Sequence, residues 1–215
     1  MWEARARSVA AIAASLYVTT LVAVPLLDRD RDVLRSYPED YADGPAGLLV
    51  RLGYVAVALM ALAIAVAIAR VRAWSLRLAL GLLGSGSLAA LFLAAAPQQV
   101  NGGFLLAGIL GLALAPAAIS IGTRDRQSPV FVTLGMITTL AFATIAIGPH
   151  EMAGAINRAW DVLFGLWGVT FAVISRRSRE GARAPSDPRP ARPNGQREAA
   201  KDGRSVDPSA PMTSR

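Results

Sequence analysis

The residues best equipped for chemistry sit in one stretch, "GPHEMAGAINRAWD", Gly148 to Asp161. It holds the only histidine of the chain, His150, next to Glu151 and about two helical turns ahead of Asn157, Arg158 and Asp161. An imidazole with two carboxyl groups is an acid–base set, so Asp161, His150 and Glu151 are the candidate catalytic residues. The H-E-x-x-H spacing of a helix-borne zinc hydrolase starts at His150 and Glu151 but fails at Gly154, where its second histidine belongs. One histidine also falls short of a His-rich zinc site and of a bis-histidine haem. The lack of cysteine removes disulfides, thiolate metal sites, cysteine-held iron–sulfur clusters and a cysteine nucleophile. No metal and no cofactor is expected. A plainer structural role fits the same letters. Pro149 suits the first position of a helix and Glu151 complements the helix dipole, while Asn157, Arg158 and Asp161 share one face, with Arg158 and Asp161 as a neutralised pair.

The elements that must carry this stretch are apolar. Of 215 residues, 53% are hydrophobic and only 17% charged, and the charges fall in clumps. Between the clumps lie six apolar stretches, residues 9–27, 46–69, 78–96, 104–122, 130–148 and 159–175. Each approaches or exceeds the roughly 20 residues that a helix needs to cross about 30 Å of hydrocarbon. A soluble bundle would require a polar face on most helices, and Ala61 to Ala69 and Leu88 to Ala96 have none. Backbone groups in lipid must pair within their own segment, so these runs read as helices in spite of their Val and Ile. The expected fold is all-α: an integral membrane bundle of six transmembrane helices over residues 1–177, followed by a disordered basic, Pro-rich tail over 178–215.

Arg and Lys near helix ends are retained in the cytoplasm, which gives the bundle a direction. Arg5 and Arg7 precede the first stretch, Arg70, Arg72 and Arg77 follow the second, Arg124 and Arg126 follow the fourth, and Arg176, Arg177 and Arg179 follow the last. The connection "PQQVNGG" has no basic residue, the last one has Arg158 and His150, and acids outnumber Arg29, Arg31 and Arg35 in the first. Both termini are therefore expected in the cytoplasm, with Trp2 and Trp74 as anchors at the inner boundary and Tyr37, Tyr41 and Trp160 at the outer one. An N-terminal signal peptide is the competing reading of "MWEARAR" and the run behind it, but the run is long and no clean A-x-A site follows. Arg outnumbers Lys by 21 to 1, a usage associated with high-GC bacterial genomes, so the expected location is a bacterial cytoplasmic membrane. From Arg176 onward ten basic and five acidic residues are interleaved with six prolines and lack aromatics for base stacking. This points to attraction by anionic lipid and not to nucleic acid.

Helices in lipid associate through small residues, here the run "GLLGSGS" and the series Ala107, Gly111 and Ala115, which repeats every four residues. Pro116 leaves the Leu112 carbonyl without its usual partner and predicts a kink. Thr133, Thr138, Thr139 and Thr144 can bond one turn back or reach a neighbour. Arg51 reads as an interfacial anchor. Three connections share the outer side. They bring Asp28, Glu39 and Asp40, then Gln98, Gln99 and Asn101, then His150, Glu151, Asn157, Arg158 and Asp161 toward a polar mouth over an apolar cavity, the candidate binding residues.

The order of parts resembles a known family. A short first helix, "SYPEDYADGPAG", two helices joined by a basic turn, a Pro-containing loop after "LFLAAAP", and "GAINRAWDVLFGLWG" over about residues 8–177 are similar to the bacterial multi-pass membrane family grouped as domain of unknown function 998. The resemblance implies six helices and an integral membrane location, and it assigns no reaction. Members often carry an acid in the middle outer loop and a histidine at the next helix start, where this chain has Gln98 or Gln99 and Phe104 or Leu105. The expected function is therefore a non-enzymatic binding, sensing or scaffold protein whose partners are membrane lipids and other membrane proteins or itself. The alternative is a small transporter or membrane enzyme acting on a lipid-like substrate from the outer face.

Overall fold

The computed structural model describes residues 2–69, 73–96, 102–123 and 129–183. Among them the chain is all-helical and contains no strand. It runs as α1 (Trp2–Leu27), a 3-10 turn (Pro38–Tyr41), α2 (Gly47–Ile68), α3 (Trp74–Ala95), α4 (Gly102–Thr123), α5 (Pro129–Ile147), a second 3-10 turn (His150–Met152) and α6 (Ala153–Arg183). Four helices, α1, α2, α3 and α4, are long and apolar enough to cross a membrane, and the apolar part of α5, Pro129–Ile145, is shorter. Two compact units are distinguished, Met1–Arg179 and Glu180–Arg215, and the first holds all that follows. Residues 184–215, most of the segment expected as a tail, lie outside the described residues. Helix α6 itself extends past residue 177 to Arg183, two positions short of Pro185, whose ring disfavours helix in the residue before it.

Glycine sets the closest helix approach. A Cβ on Gly108 of α4 would collide with the Ala89 methyl of α3, and one on Gly111 would come within 2.5 Å of the Leu82 carbonyl oxygen. Of the row Ala107, Gly111, Ala115, Gly111 packs on α3 and Ala115 is buried, whereas Ala107 is exposed and its neighbour Gly108 is the residue that faces α3. Gly81 and Gly84 of the "GLLGSGS" run face open space, whereas Gly86 abuts Leu112.

Helix α4 continues without a break through Pro116. Thr139 of α5 donates its hydroxyl to the Ala113 carbonyl at 2.9 Å and accepts the Ala117 N–H at 3.2 Å, so it fills the rung beside the one proline cannot make. Thr138 and Thr144 bond back onto Leu134 and Ala141 of their own helix. Thr139→Val is nearly isosteric and removes the hydroxyl that bonds both α4 backbone groups. It is expected to lower stability by about 1–2 kcal/mol, with Thr139→Ser near wild type, read from the denaturation midpoint in detergent.

A ladder of rings stiffens α6. Trp160, Phe164, Trp167 and Phe171 recur at helical spacing, with centroids 5.5, 5.8 and 6.2 Å apart in succession, and Phe142 and Phe131 of α5 pack on Trp160 and Trp167 at 5.4 and 6.0 Å. Trp160 is only 6% exposed and donates its indole N–H to the Thr138 carbonyl at 3.1 Å. It is a core residue, not the boundary anchor its position suggested, and Tyr41 is likewise fully buried. Trp2 and Trp74 are exposed, as is Arg51.

Candidate functional site

The site begins where α6 meets α1. Gly165 and Gly168 leave room for Val18 and for the Ala14 methyl of α1, which would stand 3.4 Å from a Cβ on Gly168. This approach places the Asp161 carboxyl, 5% exposed, against Tyr17, whose hydroxyl donates to Oδ1 at 2.5 Å. Asn157, one turn earlier on α6, donates its amide to Oδ2 at 3.0 Å. Asp161 is thus held by a phenol and a carboxamide. The Arg158–Asp161 pair expected from sequence does not form: Arg158 instead donates to the Val33 carbonyl and lies over the Tyr41 ring at 5.2 Å. A backbone carbonyl and an aromatic face on the first connection draw the guanidinium away, while Tyr17 and Asn157 satisfy the carboxylate.

That connection, residues 28–46, is built as a cap over the end of the bundle. Ala155 donates its N–H to the Leu34 carbonyl at 3.1 Å, and Gly154 packs so closely on Ser36 that a Cβ would strike the Ser36 carbonyl oxygen. Asp28 is buried and paired with Arg31 at 3.3 Å, so its role is to fix the base of the cap. Asp40 accepts the Tyr37 N–H at 2.7 Å and closes the 3-10 turn.

Beneath the cap lies a cavity of about 180 Å³ between α1, α2, α3, α4 and α6. Its body is apolar, with Leu21, Val24, Val57, Leu93, Ile109 and Leu112 among its walls, and Trp160 and Phe164 add aromatic faces. Its polar lining comprises Asp161, Asn157, Arg158, Tyr17, Thr20, Tyr54 and Glu39. Tyr54 donates its hydroxyl to Glu39 Oε2 at 3.4 Å. Glu39 is exposed at the mouth, yet enough protein surrounds its carboxyl that burial raises its pKa above the usual carboxylate range, with Asp40 adding to the rise and its own backbone bond and Tyr54 opposing it.

The candidates named from sequence are sorted by this geometry. Asp161, Asn157, Arg158 and Glu39 line the cavity. Asp28, Asp40 and Glu151 do not: the first two serve the cap, and Glu151 is exposed on the second 3-10 turn. His150 occupies that same turn, and its side chain lies outside the described set. Gln98, Gln99 and Asn101 lie outside the described residues. Tyr17, Tyr54, Thr20 and Trp160 were not among the sequence candidates, although Asp161 is the single acid within the six apolar stretches and a phenol buried in an apolar helix needs a partner. Among the described residues no group of three or more His, Cys, Asp and Glu side chains is placed to hold a metal ion. No family model matches the chain, and neither a curated protein nor a solved structure matches it. The family resemblance therefore rests on the quoted motifs alone.

Proposed function

We propose that the chain is a multi-pass protein of a bacterial cytoplasmic membrane that binds a small amphiphile in the cavity under its outer cap. Four helices long and apolar enough to span, and the charge asymmetry of the connections, support six passes with both termini in the cytoplasm. Helix α5, at 19 residues and 1.5 Å per residue, reaches about 28 Å, close to the thickness of the hydrocarbon core. The observation that carries the binding reading is the cavity itself, apolar in its body with a buried, hydrogen-bonded carboxyl in its wall. A buried acid in a helix of this kind is a functional candidate because removing it from water is expensive.

Two measurements test the reading. A reporter fused behind Arg179 is expected to read cytoplasmic and one inserted in residues 28–46 external; the reverse overturns the orientation. In detergent or nanodiscs, 2-phenylethanol is expected to change Trp160 fluorescence saturably, and Ala90→Phe, which fills the cavity from α3, to abolish that response. A response unchanged in Ala90→Phe places binding elsewhere. A proton-coupled carrier is the second reading, supported by the same buried Asp161. It requires substrate movement into vesicles that Asp161→Asn stops.

A further inference from the structure

We infer that the molecule the cavity takes is a small hydrophobic amine, its protonated nitrogen answered by Asp161 and Glu39 and its apolar body held by Tyr17, Tyr54, Trp160 and Phe164. The inference deepens the binding reading above and rests on it. Size comes first. A cavity of about 180 Å³ is a little larger than the roughly 150 Å³ site that holds benzene in an engineered protein, so it suits a body of about six to nine non-hydrogen atoms. A phospholipid headgroup with its glycerol and phosphate does not fit that space.

Hydrogen-bonding capacity comes next. The hydroxyls of Tyr17, Tyr54 and Thr20 already donate, to Asp161, to Glu39 and to the Tyr17 carbonyl. What these groups still offer is oxygen lone pairs, and the two carboxylates accept only. The hydroxyls and carboxylates of the lining therefore present acceptors to N–H donors of a ligand, beside one free donor, Arg158 Nη2, which is buried without a hydrogen-bond partner among the described residues. Charge favours a cation: two carboxyls, Asp161 and Glu39, stand against one guanidinium, Arg158, which donates through Nη1 to the Val33 carbonyl and lies over the Tyr41 ring while its Nη2 has no such partner. Aromatic faces complete the set, because a cation gains from the ring quadrupole as well as from the carboxylates.

The amine is bound when the carboxyls are ionised, so affinity is expected to rise with pH while the amine stays protonated. The titratable groups facing the pair are Tyr17 from α1, Tyr54 from α2, Asp40 from the cap and Arg158 from α6; α3 and α4 line the cavity with none.

The test uses the full chain in phosphatidylcholine nanodiscs and three probes of one shape: 2-phenylethylamine, 2-phenylethanol and phenylacetate. The amine is expected to bind about tenfold or more tighter than the alcohol, as a charge-assisted bond would give, with phenylacetate weakest. Amine affinity should increase from about pH 5 to about pH 8, and Asp161→Asn or Glu39→Gln should lower amine affinity more than alcohol affinity, so that the roughly tenfold preference is erased. Glu39→Gln keeps the Tyr17–Asp161 bond, so it carries the test should Asp161→Asn fail to fold. Equal binding of amine and alcohol, or preference for phenylacetate, overturns the amine while the binding reading stands. Saturable binding of none of the three removes both. Loss of amine binding on adding phosphatidylethanolamine overturns the size argument and with it the free amine.

Discussion

Replacing Asp161 by Ala is expected to destabilise the chain by about 2–5 kcal/mol, among the largest effects of any single side-chain truncation outside the aromatic ladder. The carboxyl accepts from Tyr17 across 144 positions of sequence and from Asn157 within α6, and both donors are left inside the bundle without a partner once it is gone. Each orphaned donor costs about 1–3 kcal/mol. Asp161→Asn behaves differently. Its carbonyl still accepts from Tyr17, and the Asn157 amide can turn its oxygen toward the new N–H, so fold is kept and charge is lost. A loss well under 1 kcal/mol is expected for Asn. Tyr17→Phe removes the donor and should cost about 1.5–3 kcal/mol in the wild-type background, and much less over Asp161→Ala. Denaturation midpoints of the two singles and the double close this cycle. Additive effects would mean that the phenol and the carboxyl do not act on one another, and the site as described would fall.

What the letters reveal about this site follows from how local each feature is. The helices lie over the apolar stretches because hydrophobic run length is a local property: α2, Gly47–Ile68, sits inside the stretch 46–69, and α4, Gly102–Thr123, brackets 104–122. The all-helical class was legible for the same reason. Asp161 was legible as a candidate because an acid stands out among Trp, Val, Leu and Phe. Its partner was not. Spacing on one helix nominated Arg158, three residues away, whereas tertiary packing supplied Tyr17 from the opposite end of the chain. The cap was hidden likewise: nothing local in "DRDRDVLRSYPEDYADGPAG" says that its Val33 and Leu34 carbonyls will take donors from Arg158 and Ala155, and only Gly154, a glycine two positions into α6, marks the contact. Trp160 misled because a tryptophan at a helix end is equally good as a boundary anchor or as the first rung of a ring stack. The choice rests on Phe142 of α5, which comes close to Trp160 only in the fold, whereas Phe164 neighbours it by helical spacing.

The second large effect belongs to Gly108, which works at once on packing and on the cavity it lines. A methyl there meets the Ala89 methyl head-on, with the Ser85 carbonyl oxygen 3.4 Å away and the Ala89 Cα at 3.6 Å, so no flexible side chain can yield and the α3 and α4 backbones must part. Gly108→Ala, a substitution that in an isolated helix would favour helix formation by roughly 1 kcal/mol, is expected here to destabilise by about 1–3 kcal/mol. The sign is the informative part, since propensity and packing predict opposite directions at this position. Moving the methyl across the interface resolves it: Ala89→Gly with Gly108→Ala restores one small residue opposite one methyl and should recover most of the loss. The same separation opens the wall that Gly86, Ala89 and Gly108 share, so 2-phenylethanol binding should weaken in Gly108→Ala and return in the swap. If Gly108→Ala stabilises the protein, or if the swap is no better than the single, α3 and α4 do not pack through this glycine and the cavity loses the wall that defines it.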